Sequence, residues 1–331
     1  IDDPQWLANA VSLLGLFVSI YASDKKPLFI LSAFLMIFAG FIKHNLIALP
    51  VATTFYLYAY DKKASYIFVS SAIVSLIGLL CVCYAGYGIN FFIDVFQNKR
   101  IIDVHKAMST YKKILELFPL FIAFFVIIKN RGKYEYKTFI ERFIIPFVCI
   151  SLLFGAFQAS ADGVDYNCFF ELLIALILSL GLYLGNLESF APQSYRFISR
   201  ILIVFSVFMV SVPVELKRTY HSLQSMKEES NFYGNIIHII GNDQGAAICQ
   251  DLSVCYWAHK KEIFDYFNTD QKMQIYKDNS IIHAVFKKNN VNIIESYGND
   301  MEKYIDKNIY SKILSERGIT ILKKITSIQA Q

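Results

Sequence analysis

Glycine-rich phosphate cradles are missing from this chain: neither GxGxxG nor GxxxxGK[ST] occurs, so nucleotide binding has no support. Charge is thin as well. Only 18% of the 331 residues are Asp, Glu, Lys or Arg, against about 25% in soluble domains, so part of the chain is composed for lipid. The formal charge of +5 is small, and Lys and Arg sit mostly between apolar runs. That placement fits topology signals and excludes the basic stripe that nucleic-acid binding needs. The six cysteines, Cys81, Cys83, Cys149, Cys168, Cys249 and Cys255, show no CxxC or zinc spacing. Four lie in or beside apolar runs, where a small hydrophobe is the plain reading, while Cys249 and Cys255 pair only if their domain faces an oxidising space. No charged leader precedes the first apolar run, so no signal peptide is read. The first residue is Ile, and the chain is expected to be the C-terminal part of a longer protein.

What is present is hydrophobicity, 55% of residues, laid out in long runs as far as Val214 and then abruptly abandoned. A hydrocarbon core of about 30 Å needs about 20 mostly apolar residues per helix. The expected architecture is a multi-pass α-helical membrane bundle of about eight spans (residues 1–214), followed by a small soluble α/β domain (215–331). The spans are Trp6–Tyr21, Leu28–Ile42, Leu46–Tyr60, Ser65–Ala85, Ile114–Ile128, Phe139–Gln158, Phe169–Leu184 and Phe197–Val212. The second and third are short and also read as a re-entrant pair.

Cytoplasmic loops are enriched in Lys and Arg. Lys129, Arg131, Lys133 and Lys137 therefore place the loop after the fifth span inside. Alternation puts Asp24–Lys26, Asp61–Lys63 and the Arg196 loop inside too. Residues 1–5, Lys43–Asn45, Gly86–Lys113, the acidic Ala159–Asn167 loop and the C-terminal domain fall outside. Gly86–Lys113 carries five basic residues against this assignment, and Phe91–Met108 is read as an amphipathic surface helix meeting lipid phosphates.

From Gly234 the pattern alternates. Ala246–Gln250, Glu262–Phe264, Val291–Ser296 and Ile319–Lys323 read as strands. Leu252–His259, Asp270–Tyr276, Ile281–Asn289 with Ser280 as cap, and Ile309–Arg317 stopped by Gly318 read as helices. Such alternation implies a small, largely parallel sheet.

A charge at the centre of a membrane helix costs about 2.5–3.5 kcal/mol, so polar residues near the spans ask for a reason. Asp3 precedes the first span, Lys43 and His44 end the second, and Tyr166, Asn167 and Glu171 open the seventh. Asn167 and Glu171 are four apart and share a helix face. The topology brings all of them to one outer edge, as a polar substrate-binding cleft requires. Plainer readings stand beside this one: Lys43 snorkelling, His44 in a solvated turn, Asp3 at a helix start. Asp94, Glu116, Glu141 and Arg142 read as interfacial.

Three stretches and a tail carry a family likeness: Asp2-Asp3-Pro4-Gln5-Trp6-Leu7, Ala39-Gly40-Phe41-Ile42-Lys43-His44-Asn45 before Pro50, and Tyr166-Asn167-Cys168-Phe169-Phe170-Glu171-Leu172. The tail is Ala247-Ile248-Cys249-Gln250-Asp251-Leu252 followed by Phe264-Asp265-Tyr266-Phe267-Asn268. Together they resemble bacterial polytopic glycosyltransferases of the C-fold superfamily, distant relatives of protein O-mannosyltransferases and aminoarabinose transferases. Cys168 and Phe170 depart from the usual Asn-Tyr-Phe-Leu-Glu stretch, whereas Asn167 and Glu171 keep it. The resemblance implies inverting transfer of a sugar from a polyprenyl-phosphate donor to a glycan, lipid or protein acceptor, at the outer face of the bacterial cytoplasmic membrane. Lys43 would hold the lipid phosphate, Asn167 and Glu171 would position hydroxyls, and Asp3 would line the cavity. The family's principal carboxylate falls in a loop upstream of Ile1. No cofactor is implied, a divalent metal has no support in the sequence, and no nucleic-acid partner is expected. The rival classes are a membrane transporter or lipid-linked-sugar flippase, which needs inverted repeats, and a membrane-anchored binding module.

Overall fold

A computed structural model describes residues 4–22, 25–97, 100–103, 105, 108, 114, 117–130, 139–161, 164, 166–185, 193–261, 263–298 and 301–325. The chain divides into two compact units, 1–214 and 215–331.

The first unit is helical: α1 (Gln5–Tyr21), α2 (Leu28–Ile42), α3 (Ala48–Tyr60), α4 (Lys62–Tyr87), α5 (Ile89–Gln97), α6 (Phe118–Asn130), α7 (Phe139–Ala159) and α8 (Phe170–Gly185). Small residues draw the first two together. Ala8, Ser12, Gly15 and Ser19 form one buried stripe on α1. Ser32 on α2 donates to the Gly15 carbonyl at 2.8 Å, and its hydroxyl lies 2.5 Å from that of Ser19. Small side chains at the facing positions are what let the two backbones approach this closely. Further along, Tyr56 of α3 packs its ring on Phe139 and Phe143 of α7, at centroid distances of 4.3 and 6.2 Å. Gly155 of α7 faces Phe169 so closely that an added Cβ would lie 2.6 Å from the ring.

The count of about eight spans is overturned. Among the described residues, three helices are long and apolar enough to cross a membrane: Lys62–Tyr87, Arg142–Ala159 and Asn167–Gly185. The reason is length. At 1.5 Å per residue, the 17, 15 and 13 residues of α1, α2 and α3 reach only about 25, 22 and 20 Å. Pro27, the Lys43–Asn45 turn and Asp61, which caps α4 through a bond from the Ala64 N–H at 3.0 Å, set those ends. The expected span Ile114–Ile128 contracts to the 13 residues of α6. Phe197–Val212 lies inside α9 (Gln193–Asn242), and its side chains fall outside the described residues. The expected surface helix Phe91–Met108 is interrupted: α5 covers Ile89–Gln97, Ile102 bridges Ala161 in extended form with the Asp103 N–H donating to the Ser160 carbonyl at 2.7 Å, and His105 and Met108 are helical again.

In the second unit the C-terminal part of α9 leads to β1 (Ala246–Cys249), α10 (Leu252–Trp257), α11 (Tyr266–Tyr276), α12 (Ser280–Asn289), β2 (Val291–Tyr297), β3 (Tyr310–Glu316) and β4 (Ile319–Lys324). The sheet order is β1-β2-β4-β3. Only β1 and β2 are parallel, so the sheet is mixed where a largely parallel one was expected. The expected helix Ile309–Arg317 is strand β3. Arg317 and Gly318, at φ 50° and 81°, form the two-residue turn of a β3–β4 hairpin, the turn whose twist matches paired strands. The expected strand at 262–264 forms none among its described residues, Ile263 and Phe264. One sheet face, with Ala247, Cys249, Ile293 and Ile321, packs under Ile236 and Ile240 of α9 and Val254 of α10. The other, with Ile248, Ile294 and Leu322, packs on Met273 and Ile282.

At the start of β1, Asp243 ties three strands' worth of chain together. Its carboxylate accepts from Gly245 N–H at 2.8 Å and Asn292 Nδ2 at 2.6 Å and sits 3.0 Å from Lys323 Nζ. Burial opposes its charge, but these donors outweigh that and hold its pKa below the ordinary value.

Candidate functional site

One rim of the first unit gathers the ends of several helices. Helix α2 ends at Ile42, Lys43 takes an extended conformation (φ −146°), and α3 begins at Ala48. Glu171, in the first turn of α8, reaches into this turn. Its Oε2 accepts from the N–H groups of Ile47 and Ala48 at 3.2 and 3.0 Å, and its Oε1 from Leu49 at 2.8 Å. These are amides that a helix start leaves unsatisfied, and a carboxylate there meets the positive end of the helix dipole. Gln158 at the end of α7 donates to the Asn45 carbonyl at 2.8 Å. Trp6 at the start of α1 stacks on Phe170, with centroids 5.1 Å apart.

Of the residues singled out from sequence, Lys43, His44 and Glu171 therefore meet at one rim. Asn167, in the 3-10 turn Tyr166–Phe169, lies four residues before Glu171 in the chain. Lys43 is half-buried, and both it and Asn167 are engaged within the fold. The side chain of Tyr166 and the whole of Asp3 lie outside the described residues, as do Asp162 and Asp165 of the acidic loop. Glu171, expected to position substrate hydroxyls, has both oxygens bonded to backbone N–H groups and fixes the Lys43–Leu49 segment.

Sequence reasoning missed Arg100. Partial desolvation, then the charges of Lys43 and Arg100, lower the pKa of His44. Arg100 therefore adds a second permanent cation to the Lys43 turn, and His44 is a neutral imidazole beside them at neutral pH. No spacing rule links residue 100 to residue 43, so the pairing was invisible in one dimension. The opposite rim carries Lys26 beside Asp61 at 3.5 Å and Arg142 over the Tyr60 ring at 5.1 Å.

The cationic turn, held by a carboxylate cap, can bind an anion but has no described carboxylate free to act as a base. Among the described residues no three His, Cys, Asp or Glu side chains come together as a metal site.

Comparisons with family models, curated proteins and solved structures return no match.

The second unit holds a disulfide, Cys249–Cys255, closing the loop between β1 and α10. Beside it lies Glu295, fully buried on β2. This residue was not singled out from sequence, although a Glu inside Val-Asn-Ile-Ile-Glu-Ser-Tyr is a visible oddity.

Proposed function

We propose that this chain belongs to a membrane glycosyltransferase that moves a sugar from a polyprenyl-phosphate donor to an acceptor at the outer face of a bacterial cytoplasmic membrane. The supporting observation is the half-buried Lys43 turn with Arg100 and neutral His44 close by, clamped in place by Glu171 from α8. Three helices are long and apolar enough to cross a membrane, and in a bilayer such a turn would lie within reach of a lipid-borne phosphate.

Lys43 and Arg100 would pair with the phosphate and stabilise the charge that builds as it leaves. The acceptor hydroxyl, once deprotonated, attacks the anomeric carbon from the face opposite the phosphate. The bond from that carbon to the phosphate oxygen breaks, and the configuration inverts. A lipid phosphate is a competent leaving group, so positioning is the main demand on the protein. Asn167 would hold a sugar or acceptor hydroxyl, with Glu171 acting through the turn it caps.

Two features support the orientation. Lys25 and Lys26 precede α2 and Lys62 and Lys63 open α4, as basic residues do at cytoplasmic helix ends. A disulfide in the second unit fits an oxidising, extracytoplasmic space.

The test is Lys43→Ala in proteoliposomes supplied with a labelled polyprenyl-phosphate sugar. Loss of both donor retention and sugar release to acceptor is expected. Full transfer and donor binding by the variant would remove Lys43 from the reading. Movement of the labelled donor between leaflets without transfer would replace it with a flippase.

A further inference from the structure

Glu295 is at 0% exposure in the middle of β2. Its Oε2 accepts from the Asp251 N–H at 3.0 Å, and its Oε1, also buried, has no hydrogen-bond partner. A buried carboxyl oxygen without a donor costs about 1–3 kcal/mol or more, which a purely structural strand has no reason to carry. Its surroundings give it an object. In the parallel β1–β2 register Glu295 is the direct partner of Cys249. Each lies two residues beyond a member of the α10-facing layer, Ala247 and Ile293, and so shares that face of the sheet. The Asp251 N–H that Glu295 binds lies inside the loop closed by Cys249–Cys255. The carboxyl thus touches the disulfide loop by hydrogen bond and neighbours one of its cysteines across the strands.

We propose that Cys249–Cys255 is a redox-active disulfide and that Glu295 is the proton donor for its reduction by a dithiol. In this step a thiolate of the dithiol attacks Sγ of Cys255, which sits in the six-residue helix α10; both cysteines are buried, so the attack follows an outward movement of that helix. The Sγ–Sγ bond breaks, its electron pair passes to Cys249, and Cys249 takes the Glu295 proton. The second thiol of the reductant then displaces Cys255 as a thiolate, which is protonated from water. The products are the protein dithiol, an oxidised reductant and an ionised Glu295. Nothing in this depends on the glycosyltransferase reading.

Two further observations suit the step. Helix α10 is short, and its Tyr256 and Trp257 are 71% and 62% exposed, so moving it disturbs little packing beyond Val254, Cys255 and Ala258. Burial, together with the nearby Asp251 charge, raises Glu295 to a pKa of about 7, which keeps a proton available near neutrality. The titratable groups facing it are Asp251 from the β1–α10 turn and Tyr233 from α9. Its partner on β4, Ile321, carries none.

The test is the rate of reduction of the full-length protein in detergent by dithiothreitol, from pH 6 to pH 9, divided at each pH by the concentration of dithiothreitol thiolate. Alkylated Cys249 and Cys255 are scored by peptide mass spectrometry, and circular dichroism follows the fold. A disulfide that needs no proton donor gives a normalised rate independent of pH. With protonated Glu295 as donor, the normalised rate falls on the order of tenfold per pH unit once Glu295 has ionised. Glu295→Gln is expected to lower and flatten the profile while leaving the disulfide in place. A flat wild-type profile, or a disulfide reduced only as the circular dichroism signal is lost, overturns the proposal, and neither depends on the variant folding.

Discussion

The carboxylate of Glu171 accepts the Leu49 N–H at 2.8 Å across 122 residues of chain. With the Ile47 and Ala48 bonds, this makes the start of α3 a structure that α8 completes. A helix whose first residues lack any side-chain cap of their own is thereby closed by a distant element. The position of Lys43, four residues before Ile47, follows from it.

Replacing Glu171 by Ala strips three amides of their acceptor. A loss of about 1–3 kcal/mol in the stability of the helical unit is expected, read as a lowered midpoint in detergent-based thermal unfolding. Glu171→Gln keeps one acceptor oxygen and is expected to fall between wild type and Ala. A midpoint for Glu171→Ala equal to wild type would show that solvent or lipid headgroups cap α3 equally well.

Gly155 allows Phe169 to lie against α7. An alanine Cβ there would sit 2.6 and 2.8 Å from two ring carbons and 3.2 Å from the Cys168 carbonyl, and a fully buried ring has little freedom to retreat. Gly155→Ala is expected to destabilise the unit by about 1–3 kcal/mol, despite alanine's better helix propensity. An unchanged midpoint would mean that the α7–α8 contact yields easily.

Stability of the second unit should depend on pH through Glu295. Its folded pKa is raised from the ordinary 4.5 to about 7 by burial, so the folded state holds the proton more tightly than the unfolded one. Stability is therefore greatest below about pH 4.5 as far as this group is concerned. It declines as pH rises to about 7 and then levels, with a total loss of about 3 kcal/mol. The chain has two tryptophans, so a Trp6→Phe background leaves Trp257 to report denaturant unfolding of this unit alone. Glu295→Gln in that background is expected to be insensitive to pH over the same range. Identical wild-type midpoints at pH 5 and pH 7.5 would rule out this linkage.

The boundary near Val214 was legible because composition changes there, and composition is a local property. Glu171 was legible as an anomaly, one acid in an apolar run, but its partners were not. They are peptide N–H groups of Ile47, Ala48 and Leu49, which every residue but proline possesses and which leave no mark in sequence. The number of long helices misled for a related reason. Hydropathy registers apolar runs such as Leu28–Ile42, whereas crossing length depends on where caps fall, and Pro27 and Asp61 cut the runs short. Strand β3 was read as a helix because its exposed side chains give no alternation. The Arg317-Gly318 pair just before the β-branched run Ile319-Thr320-Ile321 was the available hairpin sign, and Gly318 is ambiguous between a helix stop and a turn.

Within α4, 6% of the most apolar 18-residue window is covered by the rest of the protein. Ile73, Val74, Ile77 and Val82 look outward from it. In a membrane or a micelle, acyl chains or surfactant tails would therefore be the principal packing partner of this helix. Amphiphile choice during extraction will act on α4 as a core mutation acts on a water-soluble protein.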